Sequence, residues 1–109
     1  MYIISRMIKV EKGHTQNLIA KFDKVSPVFQ SKGFVKREIL VDYMQKQFDL
    51  VNISTYFENK EAYLQWESSP EHIAMHKDKN HFHHQKPEGV IGIDAHFYEL
   101  KLLQPYEKN

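Results

Sequence analysis

The residues with the most chemical reach in this chain are its one tryptophan, its seven histidines and an arginine in an apolar strand. Trp66 and His76 bracket the run W-E-S-S-P-E-H-I-A-M-H. Its centre, Ser68-Ser69-Pro70, ends one helix and opens another, with Ser69 as the cap and Pro70 in the first turn. A flat aromatic followed by an imidazole on a fresh helix suits clamping a planar ligand and coordinating its metal. His72 and His76, four apart, also have the spacing at which two imidazoles chelate a transition metal, with His81, His83 or His84 as further donors. On spacing alone such a pair is more often a solvated helix face, and a lone tryptophan near Tyr63 is more often core. Arg6 is the third candidate. It shares a strand face with Tyr2, Ile4, Ile8 and Val10, so its stem either runs along the core to a carboxylate or solvent, or its donors are aimed into a pocket.

Other chemistries find little support. The chain has no cysteine, which removes disulfides, thiolate metal sites and thiol nucleophiles. It has no glycine-rich phosphate loop and no G-x-S-x-G elbow, and its carboxylates are scattered. Fifteen basic residues against fourteen acidic ones give a net charge of +1, too small a field to draw in nucleic acid or anionic lipid. The start, Met-Tyr-Ile-Ile-Ser-Arg, does not read as a signal peptide, and no apolar run approaches the ~20 residues of a membrane span. The expectation is a cytoplasmic protein without nucleic-acid or membrane partners.

The elements that must position these residues follow from periodicity. Tyr2–Val10 reads as a strand, and Thr15 is expected to cap a helix whose stripe is Leu18, Phe22, Val25 and Phe29. Ser26-Pro27 breaks that helix and Gly33 stops it. A second strand over 34–43 puts Val35, Ile39, Val41 and Tyr43 on one face; a third over 50–57 does the same with Val51, Ile53, Thr55 and Phe57. Their short connection favours a hairpin. Asn59 caps a helix over 60–67 that presents Ala62, Tyr63 and Trp66 on one side, and the short helix carrying His72 and His76 follows. Residues 77–89 are polar and read as a mobile loop, 90–103 as a long last strand, and 104–109 as a polar tail beyond a domain spanning 1–103.

Strand, helix, strand, strand, helix, strand gives a ferredoxin-like α+β sandwich: a four-stranded antiparallel sheet with helices on one face. The other face, with Ile3 and Met7, would be an apolar patch suited to burial between sheets in a homodimer.

The chain resembles the antibiotic-biosynthesis-monooxygenase superfamily of small ferredoxin-like dimers, and within it the bacterial heme-degrading monooxygenases. The likeness lies in R-M-I-K-V-E-K-G (Arg6 to Gly13), in Gly33-Phe34, in Ser54-Thr55, and above all in W-x-x-S with a histidine ten positions after the tryptophan: Trp66, Ser69 and His76. The resemblance implies a dimeric α/β barrel that binds heme as substrate and cofactor, draws on an external electron donor such as a reductase, and opens the porphyrin to release iron. It implies that His76 ligates the heme iron and that Trp66 presses on and distorts the porphyrin. Arg6 occupies the place of the family's first-strand asparagine, His72 that of a usual aromatic, and Met75 that of a usual small residue. Two further readings stand beside this one: a heme-independent monooxygenase or binder of another planar molecule such as a quinone or polyketide, and a heme carrier that does not degrade it.

Overall fold

Alternation along the strands decides what lies above the sheet and what lies below. The computed structural model describes residues 1–77 and 86–107. Its elements are β1 (Tyr2–Val10), α1 (Thr15–Phe22), a 3-10 turn (Pro27–Gln30), β2 (Phe34–Asp42), β3 (Asp49–Phe57), α2 (Lys60–Glu67), α3 (Pro70–Lys77) and β4 (Val90–Glu99). The sheet order is β2-β3-β1-β4 with antiparallel neighbours throughout, the ferredoxin-like arrangement expected. The opening strands of the two β-α-β halves, β1 and β3, are thus paired at the centre of the sheet.

The register assigns the inner, helix-covered face. Ile4, Arg6 and Ile8 lie opposite Thr55, Ile53 and Val51, and Arg37, Ile39 and Val41 of β2 lie opposite the same three β3 residues. Two apolar clusters form on this face. Ile8, Val10, Leu18, Val51, Ile53 and Val90 pack under α1; Val28, Phe57, Ala62 and Trp66 pack under the 3-10 turn and α2. Ile39 and Val41 join the first, Ile4 and Phe34 the second. Arg6, Thr55 and Arg37 fall between the two sets, so a polar seam crosses an otherwise apolar face.

Several local expectations give way to tertiary structure. Thr15 is not the cap of α1: His14 holds that position without a side-chain bond, and the Thr15 hydroxyl instead donates to Asp49 Oδ2 at 2.6 Å. The apolar stripe does not run on to Val25 and Phe29, because the helix ends at Phe22 and leaves both side chains exposed. Ser26 does cap the turn that follows, accepting from Val28 N at 3.4 Å with Pro27 in the first position. Val35 does not share the inner face with Ile39, since a bulge between Phe34 and Lys36 turns Phe34 inward instead. The last strand stops at Glu99 rather than Leu103; Leu100 N still reaches Met1 O at 2.9 Å, but no regular structure follows.

The outer face is less apolar than its first-strand residues imply. Ile3, Met7, Leu50 and Tyr56 are there, but Ser5 donates to Asn52 Oδ1 at 2.7 Å and Ser54 to the same atom at 3.1 Å. Those three residues form a small polar patch in the middle. The described residues contain no helix long and apolar enough to cross a membrane.

Candidate active site

Helices α2 and α3 are placed by the caps the sequence suggests. Asn59 Oδ1 accepts from Ala62 N at 2.8 Å, and Ser69 Oγ accepts from His72 N at 3.2 Å while donating to Trp66 O at 2.7 Å. Ser69 therefore fixes the bend between the helices and with it the angle from Trp66 to the α3 histidines. Trp66 is buried among Val28, Phe57 and Ala62. Its ring meets that of His72 edge-on, with centroids 5.1 Å apart and planes at 75°. The His72 ring in turn lies 4.2 Å from that of His76, centroid to centroid. His76 is half-buried in the last turn of α3, where the helix dipole favours a basic side chain.

Beside this row of rings sits a hydrogen-bonded cluster. Glu67 Oε1 accepts the Tyr63 hydroxyl at 2.6 Å, and Glu67 Oε2 lies 2.6 Å from His72 Nε2. Burial, opposed by the charge of Glu67 and reinforced by His76 and Arg6, holds the His72 pKa below its ordinary value. His72 is then neutral near pH 7, with Nε2–H donating to the carboxylate. That tautomer leaves a lone pair on Nδ1, and Nδ1 is buried with no hydrogen-bond partner among the described residues. Burial, the bond to Glu67 and its charge also push the Tyr63 phenol far above its usual range, so the hydroxyl keeps its proton.

Arg6 faces this cluster from the sheet. It feels Tyr63 and Glu67 electrostatically, yet among the described residues it makes no hydrogen bond and no ion pair. Its pKa is lowered by burial first, although a guanidinium stays charged at any ordinary pH. The structure thus gathers Trp66, His72, His76 and Arg6 into one region. The further histidines considered for a metal, His81, His83 and His84, lie outside the described residues, and among those described no three His, Asp or Glu side chains gather as a metal site.

Three participants were not singled out from the sequence. Glu67 and Tyr63 are four apart on α2, the spacing that places side chains on one helix face, and that signal was available. Arg37 shares the parity of Ile39 and Val41, and alternation alone puts it on the inner face. Two clefts lie away from the seam, one of about 380 Å³ among His14, Asn17, Leu18 and Pro87, the other of about 170 Å³ among Lys32, Gly33, Asn59 and Ala62.

The chain is similar to known proteins over nearly its whole length. The chain is 29% identical over 104 residues to the heme-degrading monooxygenase of Shouchella clausii, across 95% of this chain and 94% of that one. It is also 29% identical over 104 residues to the heme-degrading monooxygenase of Halalkalibacterium halodurans, across 95% and 85%. Among solved structures, the heme-degrader MhuD from Mycobacterium tuberculosis, with two hemes bound in its active site, superposes with a TM-score of 0.69. That alignment covers 96% of this chain and 100% of MhuD at 23% identity, a likeness of fold. Residues 1–78, from the first strand through α3, match the family described as antibiotic biosynthesis monooxygenase, and the chain belongs to that family.

Proposed function

We propose that this protein is a heme-degrading monooxygenase that binds heme beside the seam, opens the porphyrin and frees its iron. The observation that carries the reading is the unbroken row of rings from Trp66 through His72 to His76, faced by Arg6, which makes no hydrogen bond or ion pair among the described residues. Relatives bearing that name, alike over nearly the whole chain, support it. The polar atoms of the site fit such a ligand. A half-buried guanidinium with no hydrogen bond or ion pair among the described residues suits a molecule that is planar, apolar and acidic at its rim.

In this reading His76 holds the iron through a neutral imidazole, and Trp66 sets the shape of the porphyrin face. Heme, once bound, supplies both the redox-active iron that uses dioxygen and external electrons and the carbon framework that is oxidised. Arg6 offers donors to the polar side of the ligand, and the Tyr63–Glu67–His72 cluster fixes where protons sit beside it. Burial in the helix layer limits water. The working unit is a cytoplasmic homodimer, its sheets packed through the outer face, served by a separate reductase.

The test is a hemin titration. A saturable Soret shift that disappears in His76→Ala, followed by Soret loss and iron release on adding reductant in air, supports degradation. A stable spectrum under reductant assigns a carrier instead; no saturable binding sinks both heme readings.

A second reading has its own observation. His72, neutral, oriented by Glu67 and with a lone pair on Nδ1, is built like a general base. Such a base could deprotonate an acidic phenol or enol of a planar substrate that then reacts with dioxygen without heme. Oxygen uptake with a hydroquinone and no hemin, abolished in His72→Phe, would select it.

A further inference from the structure

We propose that Arg6 and Arg37 together receive a carboxylate carried by the ligand, so that the site selects planar acids over their neutral counterparts. The inference rests on the reading above only in taking the seam as a ligand site. It does not depend on the ligand being heme.

The two arginines share the inner face. Arg6 stands opposite Ile53 and Arg37 opposite Thr55, two residues further along β3, which places them diagonally across one central strand. In a sheet this puts their Cα atoms roughly 12 Å apart, close enough for two long side chains to converge. Both are half-buried. Arg37 is steered inward by its neighbours: Nε donates to Thr55 Oγ1 at 3.3 Å, and the guanidinium sits 5.4 Å from the centre of the Phe29 ring. Its remaining donors have no hydrogen bond or ion pair among the described residues, and neither do any of those of Arg6.

Charge in the seam is therefore out of balance. Two guanidinia approach one another, and Arg37 is held below its ordinary pKa by burial and then by the charge of Arg6. The carboxylate whose charge Arg6 feels is Glu67, and both its oxygens already accept, one from Tyr63 and one from His72. Other carboxylates are committed elsewhere, among them Asp49 to Lys12 and Thr15, Glu38 to Lys36 on the outer face, Asp42 to Met44 N and Gln45, and Glu99 to Lys101. A half-buried pair of cations with unspent, planar donor sets is costly unless an anion completes it. Carboxylate matches the forked geometry of guanidinium. The aromatic rings of Phe29, Phe34, Tyr63 and Trp66, clustered on the same side of the sheet, suit the flat body that would carry it.

The experiment compares acid with ester on the full chain. Hemin and hemin dimethyl ester are titrated under identical solvent conditions, alongside thermal melts with and without 2-naphthoate and neutral 2-acetonaphthone. We expect hemin to bind about tenfold or more tighter than its ester. That ratio should shrink to within about threefold in Arg6→Gln and in Arg37→Gln. Equal binding of acid and ester overturns the proposal and leaves the heme reading intact. If neither porphyrin binds, but naphthoate raises the wild-type Tm while the neutral ketone does not, the carboxylate receptor stands and the heme reading falls. No porphyrin binding and no naphthoate effect overturns both. The acid–ester comparison needs no variant, so it decides even if Arg6→Gln melts too low to assay.

Discussion

Glu67 and His72 are joined at 2.6 Å, carboxylate Oε2 to imidazole Nε2, across the bend from α2 to α3. The contact does more than link two helices. It fixes the imidazole tautomer, leaves the lone pair on the buried Nδ1, and keeps the edge of His72 against Trp66. His76, one turn further on, packs on the ring so held. Orientation of the candidate ligand-binding histidine is thus transmitted from a side chain on the preceding helix, as second-layer carboxylates do at metal sites.

Glu67→Gln should lower the His72 pKa further. The carboxylate charge opposes the effect of burial, and an amide removes that opposition while conserving shape. The NMR titration of the His72 ring protons checks this. An unchanged or raised pKa would mean that Glu67 does not control the imidazole.

The same residue should leave a mark on stability against pH. Unfolded, His72 titrates near 6.5; folded, its pKa is lowered. Below about pH 6.5 the unfolded chain therefore binds more protons, and the native state loses stability as pH falls, until the folded pKa is passed. His72→Phe removes this contribution. Urea midpoints at pH 7.5 and 5.5 should fall less steeply in the variant than in wild type, and parallel losses would contradict the assignment.

How much of this was legible beforehand follows from which signals are local. Strand alternation and the Asn59 and Ser69 caps are written in short stretches, and the sheet, its order and the bend at Ser69 follow from them. Arg6 was identifiable as a polar residue on an apolar face. Its situation was not, because the carboxylate near it comes from Glu67, 61 positions along the chain. Thr15 read as a cap because its spacing allows one; a buried Asp49 from β3 takes its hydroxyl instead. The end of α1 at Phe22 and the bulge at Val35 likewise depend on what the neighbouring elements leave room for.

Thr15→Val should cost about 1–2 kcal/mol of stability, since it strips one hydrogen bond from a buried carboxylate. Asp49 Oδ1 keeps Lys12 Nζ at 2.7 Å, so the charge is not left alone and the loss stays moderate. The urea midpoint reads the effect directly. A cost near zero would mean that water replaces the threonine hydroxyl without penalty.

Gly33→Ala tests how tightly the helix carrying Trp66 and Glu67 is seated on the sheet. Gly33 has φ +86°, and a Cβ built there meets the Ala62 Cβ at 2.5 Å. Two penalties therefore add: a left-handed backbone for an L-residue and a clash with α2, together about 2–4 kcal/mol. Gly13 separates them, since it has φ +98° with nothing within 4 Å of the added atom. Gly13→Ala should cost only the backbone part, about 1–2 kcal/mol. The double variant Gly33→Ala/Ala62→Gly removes the clash and should recover part of the loss, less about 1 kcal/mol for glycine inside a helix. Because Ala62 lies one turn before Trp66 on the same buried side, the single variant should also blue- or red-shift the Trp66 fluorescence, and the double variant should restore it. Additive costs with no recovery in the double variant would show that α2 shifts freely over Gly33, and that the position of Trp66 is set by the Ser69 bend alone.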